Sequence, residues 1–183
     1  SGGSAVALGQ KRVFDQETAE NYELGVKSTL WGGRARANAT IFHMKLDDFQ
    51  DRAFDGTNFT TLNAGSLTNK GVEFEGDVAV AGNFTVHVSL GYLDAEFSSY
   101  PNASCLPYPA QLTPGCTQDL RGERPVFAPE WQGTLGAQLT GDLAQGGVGY
   151  LLRADVSYLD DINVAVINDN NPQSLQAAYS LVT

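Results

Sequence analysis

Apolar side chains recur at every second position over most of the chain, which is the period of a β-strand. In the first such segment Tyr22, Leu24 and Val26 share one face, and Glu23 and Lys27 lie on the other. The same alternation returns in five later segments: Arg34 to Gln50, Asn69 to Val80, Phe84 to Tyr92, Trp131 to Leu139 and Val148 to Tyr158. The pattern therefore predicts an all-β protein.

Two further runs, Thr57 to Leu62 and Ala177 to Val182, bring the expected number of strands to at least seven. Beyond Phe42 the alternation blurs. The connections alternate in length, as in up-and-down β-barrels with short turns at one end and long loops at the other. The short connections are Gly32-Gly33, Ala81-Gly82 and Asp142 to Gly146. The long connections are Asp51 to Gly56, Ser98 to Pro129 and Asp160 to Ser174.

The two faces of the expected sheet differ in a way that suits a membrane. The apolar face runs for about ten residues per strand, the length that a tilted strand needs to cross a bilayer. Aromatic residues gather near the strand ends, as in an interfacial girdle: Tyr22, Phe84, Tyr92, Trp131, Tyr150 and Tyr158. Polar side chains at mid-strand positions of the opposite face are expected to line a lumen: Lys27, Glu73, Glu75, His87, Arg153 and Asp155.

These features predict an antiparallel up-and-down transmembrane β-barrel, of which the chain supplies about seven or eight strands. An antiparallel β-sandwich with a solvated outer face has the same alternation, so the pattern leaves this second fold open. In a barrel the row Phe84, Val86, Val88 and Leu90 contacts lipid, whereas in a sandwich it fills a dry core. The sandwich would be a soluble or surface-exposed binding module.

Composition narrows the functional classes. The chain has 183 residues, 20 glycines and 17% charged residues, which is typical of many short strands joined by turns. A net charge of −10 with 11 scattered basic residues argues against binding nucleic acid, because phosphate contacts need clustered Lys and Arg. No run of about eighteen apolar residues predicts a transmembrane helix. The N-terminus has no basic region followed by an apolar core, so an exported form would have lost its signal sequence.

No enzyme and no cofactor are predicted. The two histidines, His43 and His87, are the candidate bases at neutral pH, and neither lies in a recognisable motif. Glu73 and Glu75 lie on one face about 7 Å apart, a spacing that glycoside hydrolysis can use. We interpret them instead as a solvated lumen row that Lys27 and Arg153 balance across the sheet.

Cys105 and Cys116 lie in a segment rich in Pro, Tyr, Ser and Asn. Their spacing suits a loop disulfide in an oxidising compartment, and two inert thiols are the alternative. No metal site is expected here, because a zinc site needs more ligands and no histidine is near in sequence. The oxygen-rich segment from Asp160 to Asn171 does not match an EF-hand spacing, so no calcium site is predicted.

Several stretches resemble the barrel of TonB-dependent outer-membrane receptors. Their order and spacing together make the resemblance specific, and they span nearly the whole chain. They are Phe14 to Lys27, Ile41-Phe42, Asp47 to Gln50, Asn63-Ala64-Gly65, Lys70 to Glu75, Leu90-Gly91-Tyr92, Ala95-Glu96-Phe97, Arg121-Gly122 and Ala128 to Trp131.

The resemblance implies active uptake across the outer membrane of a Gram-negative bacterium. In this family a barrel of about 22 strands encloses a plug domain, and energy arrives from an inner-membrane complex through TonB. The implied partners are outer-membrane lipid, TonB through a plug domain, and a small-molecule ligand such as a metal chelate. A ferric siderophore, a cobalamin-like cofactor and an oligosaccharide all stay open as ligands.

Residues 1–183 are expected to be one segment of this larger barrel, without the plug domain and without the C-terminal end of the barrel. The last residues, Leu181-Val182-Thr183, lack the terminal aromatic residue usual for such barrels. Because long loops on a rigid barrel carry recognition, the connection from Ser98 to Pro129 is the expected ligand-contacting loop. Its candidate contacts are Tyr100, Tyr108 and Arg121.

Overall fold

The computed structural model describes residues 15–54, 59–104, 117–143, 147–165 and 172–183. Eleven strands lie in these ranges: β1 Thr18–Leu30, β2 Ala35–Phe54, β3 Phe59–Ala81, β4 Phe84–Ser99, β5 Ala103–Ser104, β6 Thr117–Gln118, β7 Trp131–Leu143, β8 Val148–Leu159, β9 Ile162–Asn163, β10 Leu175–Gln176 and β11 Tyr179–Val182. Short 3-10 turns occupy Trp31–Gly33 and Pro172–Ser174.

Seven of these strands form one antiparallel sheet in the order β1-β2-β3-β4-β7-β8-β11. Each long strand pairs with the next one along the chain, which is the up-and-down arrangement that the hydrophobic pattern predicts. The sheet is open, with β1 and β11 at its edges. Two small ladders, β5-β6 and β9-β10, lie in the connections that follow β4 and β8.

The apolar face of the main sheet is exposed. Leu24, Val26 and Leu152 keep between 62% and 67% of their surface accessible, and no second sheet packs on this face within the described ranges. The β-sandwich alternative needs these side chains in a dry core, so the structure does not support it. The row from Phe84 to Tyr92 extends about 27 Å along β4, or about 21 Å after a tilt of about 40°, close to the apolar band of a barrel.

Two β-bulges interrupt the alternation, one at Asp48 of β2 and one at Ala64 of β3, whereas the register from Phe42 to Asp47 is regular. Asp47 pairs with Ser66 and Phe49 with Gly65, so the register skips Asp48, whose φ is +55°. An extra residue moves every following side chain to the other face, which breaks the period that the sequence pattern depends on.

Two predicted boundaries in this part of the chain differ from the observed strands. The separate strand expected over Thr57 to Leu62 is wrong, because residues 59–62 begin the long strand β3. The long connection expected from Asp51 to Gly56 is too long at its start, because residues 51–54 continue β2. The expected two-glycine turn is longer than predicted, since Trp31, Gly32 and Gly33 all have positive φ.

Most of the buried apolar side chains among the described residues lie at the end of the sheet opposite the short turns, which we call the outer end; Ala35, beside the first short turn, is an exception. At the outer end Ala64, Phe97, Tyr100, Ala103 and Leu120 form one cluster, and Phe49 and Leu67 pack against it. We call these seven residues the outer cluster. No helix among the described residues is long and apolar enough to span a membrane.

Candidate functional site

The cross-strand register brings the six predicted lumen residues to one face of the sheet, which we call the polar face. One row across the strands holds Lys27, Asn38, Glu75, Ser89, Thr134 and Ser157. The next row holds Arg36, Asp77, His87, Gly136 and Asp155. Glu73 and Arg153 follow the same alternation on β3 and β8. Whether this face lines a lumen stays a prediction.

The tightest polar contacts of this face join β4 to β8 across β7. His87 Nε2 lies 2.7 Å from Asp155 Oδ1. Arg153 holds the same carboxylate with two donors, Nε at 2.7 Å from Oδ2 and Nη2 at 2.9 Å from Oδ1. A carboxylate held by two guanidinium donors keeps a fixed orientation.

His87 also lies between a donor and an acceptor. Its Nε2 is 3.1 Å from Arg153 Nη2 as well as close to Asp155. A guanidinium only donates, so Nε2 accepts from Arg153 only when it carries no proton. It donates to Asp155 only when it is protonated. The hydrogen-bonding partner of His87 therefore depends on its tautomer and charge.

Gly136 makes this cluster sterically feasible, and the sequence pattern did not single it out. A Cβ at this position would lie 2.2 Å from the His87 ring and 2.3 Å from Asp155 Oδ1. Because β7 runs between β4 and β8, only a residue without a side chain lets the two polar groups meet. The sequence feature that could have indicated this role is the glycine at a polar-face position in the alternating segment from Trp131 to Leu139.

The charge balance expected for Glu73 and Glu75 is not found. Within the described ranges no ion pair joins either carboxylate to Lys27 or Arg153, and Arg153 pairs instead with Asp155. The physical reason is distance across the sheet: β2 separates Lys27 from β3, and two strands separate β3 from β8. Both carboxylates instead border an open concavity of about 490 Å³, which Ser89, Gln132, Thr134 and Tyr179 also line.

On the apolar face, one row marks where charged side chains begin. Tyr22, His43, Lys70 and Asp94 are direct cross-strand partners, and Lys70 Nζ lies 3.0 Å from Asp94 Oδ2. One step towards the short turns, the rings of Tyr92 and Trp131 pack at 4.7 Å. This order, apolar and then aromatic and then charged, is that of a membrane boundary.

The predicted ligand loop is partly buried. Tyr100 is only 2% exposed, and its hydroxyl donates to Asp51 Oδ2 at 2.5 Å. Burial, together with this hydrogen bond, raises the pKa of Tyr100 above its usual range. Arg121 is exposed, and its backbone N–H donates to Asp119 Oδ1. A ligand contact by Arg121 stays a prediction, and one by Tyr100 would need its ring to leave the outer cluster.

Tyr108, Cys105 and Cys116 lie outside the described residues. The β5-β6 ladder ends nearby with Ser104 paired to Thr117. No group of three or more His, Cys, Asp or Glu side chains in the described part of the chain is arranged to hold a metal ion.

Comparison with known proteins identifies the family. The model of the family "TonB dependent receptor-like, beta-barrel" matches residues 2–182. The ferric yersiniabactin uptake receptor FyuA from Yersinia pestis superposes with a TM-score of 0.62 and 19% identity, over 91% of this chain and 21% of that chain. The siderophore receptor PiuA from Acinetobacter baumannii gives a TM-score of 0.64 and 19% identity, over 90% and 21%.

The copper transporter OprC gives a TM-score of 0.61 and 14% identity, over 91% of this chain and 22% of that chain. At these identities the structural likeness concerns the fold alone, and the chain spans about a fifth of each of these proteins. The family model, however, covers nearly the whole sequence. The protein therefore belongs to the TonB-dependent receptor β-barrel family, and its open seven-stranded sheet is part of such a barrel.

Proposed function

We propose that the chain is part of an outer-membrane receptor for the active uptake of a scarce nutrient carried as a metal chelate, a ferric siderophore in the first place. The observation that carries the proposal is the single-layered sheet. Its exposed apolar face is close in height to the apolar band of a transmembrane barrel, and its other face carries charged side chains. FyuA is a ferric yersiniabactin uptake receptor and PiuA a siderophore receptor, which supports a siderophore as the ligand. OprC is a copper transporter, which supports a metal more generally.

In this proposal the apolar face contacts outer-membrane lipid in a Gram-negative bacterium, and the polar face borders the lumen. Energy reaches the receptor from TonB through a plug domain, with residues 1–183 forming one segment of the surrounding barrel. The proposed role involves no chemical step, in keeping with a family of transporters. Arg121, and Tyr108 beyond the described residues, are the proposed ligand contacts at the outer end.

Membrane insertion is the first part of the proposal to test. The chain is expressed behind a signal sequence in a Gram-negative host, the membranes are separated, and heated and unheated samples are compared on a gel. We expect the chain in the outer-membrane fraction with a band whose mobility changes on heating. Recovery as a monodisperse monomer without detergent would contradict the proposal.

The ligand class needs a separate measurement. A ferric catecholate, a ferric hydroxamate and a copper(II) chelate are titrated against the purified protein while tryptophan fluorescence is followed. We expect one metal chelate to quench the fluorescence saturably, and Arg121→Ala to weaken binding of an anionic chelate by about tenfold. Equal binding by Arg121→Ala would remove Arg121 from the proposed site.

A further inference from the structure

Three segments of the outer end are fastened to one another: the entry to β1, the outer half of the β2-β3 hairpin, and the end of β4 with the chain that follows it. We propose that they move as one unit, in which Asn63 and Tyr100 are positioning residues that fix where Arg121 is presented. The coupling itself does not depend on which ligand the receptor takes up, whereas the positioning of Arg121 towards a ligand rests on the proposed function.

Asn63 joins the first two segments. Its Nδ2 donates to the carbonyl oxygens of Asp15, at 3.0 Å, and of Asp48, at 2.7 Å. Its Oδ1 accepts from the Asp15 backbone N–H at 2.8 Å. Beside it, the Gln50 backbone N–H donates to Glu17 Oε1 at 2.5 Å. One side chain therefore satisfies three backbone groups from the entry to β1 and the bulge of β2.

Gly65 brings the β2-β3 hairpin against β4. A Cβ built on Gly65 would lie 1.9 Å from the Ser99 carbonyl oxygen. Any residue other than glycine at position 65 would therefore force the two backbones apart. Gly65 directly follows the buried Ala64 of the outer cluster. The Asn63-Ala64-Gly65 motif thus combines a polar tie, a buried methyl group and a close backbone approach in three consecutive residues.

The outer cluster joins the hairpin to β4 and the segment after it. The ring centroid of Phe49 lies 5.6 Å from that of Phe97 and 5.4 Å from that of Tyr100, and Phe97 lies 5.2 Å from Tyr100. Distances of this size are typical of attractive aromatic pairs. The Tyr100 hydroxyl adds the buried hydrogen bond to Asp51 of β2.

The two residues that flank Arg121 are hydrogen-bonded to the backbone of the outer cluster. The Leu120 backbone N–H donates to the Tyr100 carbonyl oxygen at 3.0 Å, and the Leu120 side chain is 3% exposed. The Gly122 N–H donates to the Phe97 carbonyl oxygen at 2.8 Å. Arg121 therefore lies between two anchored residues, with its own side chain exposed.

These contacts form one continuous path. Asn63 holds the carbonyl of Asp48, the next residue Phe49 packs on Tyr100, and Tyr100 holds Leu120 beside Arg121. Spatial continuity alone does not establish energetic coupling, which requires that a change at one end alter the other end. The two ends of this path, Asn63 and residues 97–104, are therefore the places to perturb and to measure.

Hydrogen exchange measured by mass spectrometry on the folded chain in detergent tests the coupling. Asn63→Ala removes the tie to Asp15 and Asp48. We expect exchange in residues 97–104, which the Asn63 side chain does not contact, to become about threefold to tenfold faster, as loss of a linked hydrogen bond allows. The control is Asn21→Ala, because among the described residues the Asn21 side chain donates to the Glu23 carboxylate of its own strand, at 2.8 Å, and makes no tie to another strand.

The reciprocal variant is Tyr100→Phe, which keeps the ring and removes the hydroxyl. Because coupling is reciprocal, exchange should rise by a similar factor in residues 47–54 and at the entry to β1. Its control is Tyr158→Phe, because the Tyr158 hydroxyl donates its hydrogen bond within the described ranges to Asp160, two residues away. The folded state of every variant is checked by the mobility shift on heating.

The outcome decides between one unit and independent loops. A rise in residues 97–104 with Asn63→Ala, together with a rise at the entry to β1 with Tyr100→Phe, supports the proposal. Faster exchange confined to residues 15–17 and 47–66 for Asn63→Ala would overturn it. As a second readout, both variants should weaken chelate binding on their own and should not weaken it further when combined with Arg121→Ala, because they act only by positioning that residue. Additive losses, or an unchanged affinity, would remove their positioning role.

Discussion

At the scale of single residues, the contact between His87 and Asp155 on the polar face requires a glycine between them. Gly136 leaves the space in which the His87 ring meets the Asp155 carboxylate. The sequence pattern assigned both polar residues to the correct face of their strands. It did not pair them, because 68 residues separate them along the chain and only the register through β7 brings them together.

Gly136→Ala should therefore destabilise the protein by roughly 1–3 kcal/mol, because the added methyl group separates His87 from Asp155 or shifts the strands. The measurement is the temperature at which the band characteristic of the folded protein disappears. Gly149→Ala is the matched control on the same face, since its Cβ would have no neighbour nearer than 3.7 Å. Equal stability of the two variants would mean that the cluster contributes nothing.

Two adjacent residues of β4 test which face contacts lipid. Val88 lies on the apolar face, and Ser89 lies on the polar face. Arginine at Val88 should cost about 2–4 kcal/mol in a bilayer, whereas arginine at Ser89 reaches water or the neighbouring carboxylates at little cost. Urea unfolding in lipid vesicles measures the difference between Val88→Arg and Ser89→Arg. If Ser89→Arg were the more damaging change, the assignment of the two faces would be reversed.

At the scale of elements, the regular parts of the strands were predictable and their outer ends were not. The alternation from Phe84 to Tyr92 follows from the period of two, because one face of this strand is apolar and the other is polar or glycine throughout. At the outer end the bulges at Asp48 and Ala64 break that period, so β3 was predicted as two pieces. The burial of Tyr100 could not be predicted for another reason, because it depends on partners in β2 and β3 that are distant along the chain.

A disulfide between Cys105 and Cys116 stays a prediction, because both cysteines lie outside the described residues. Ser104 pairs with Thr117, so the chain enters this segment and leaves it at paired positions of an antiparallel ladder. Closing a connection of this length should stabilise the fold by roughly 2–3 kcal/mol.

Mass spectrometry of a non-reduced digest should detect the linked peptides, which separate on reduction. Cys105→Ser is compared with the double variant Cys105→Ser/Cys116→Ser, to separate loss of the bond from the effect of one leftover thiol. Free thiols on both residues in protein exported to an oxidising compartment would contradict the prediction.

At the scale of the whole molecule, the seven strands form an open sheet with two unpaired edges among the described residues. The chain spans about a fifth of the length of FyuA or PiuA, in keeping with a segment of a wide barrel. The position of the polar side chains on one wall was predictable from the sequence, whereas their neighbours across a lumen were not, because those neighbours belong to other parts of a complete barrel.

The open edge gives the last prediction. Thr18–Leu30 pairs with β2 on one side, and in the described part of the chain its other side has no strand beside it. In an antiparallel edge strand every second N–H points away from the sheet, and such unpaired groups in a membrane are costly. In dilute detergent alternate amides of β1 should therefore exchange quickly, while those of β4, which is paired on both sides, stay protected. At higher protein-to-detergent ratios the chain should associate through this edge, so that protection of β1 rises together with the mass measured by light scattering. A monomer with uniformly protected β1 amides would show that the edge is already paired, and the sheet would then have to close on itself with far fewer strands than its relatives need.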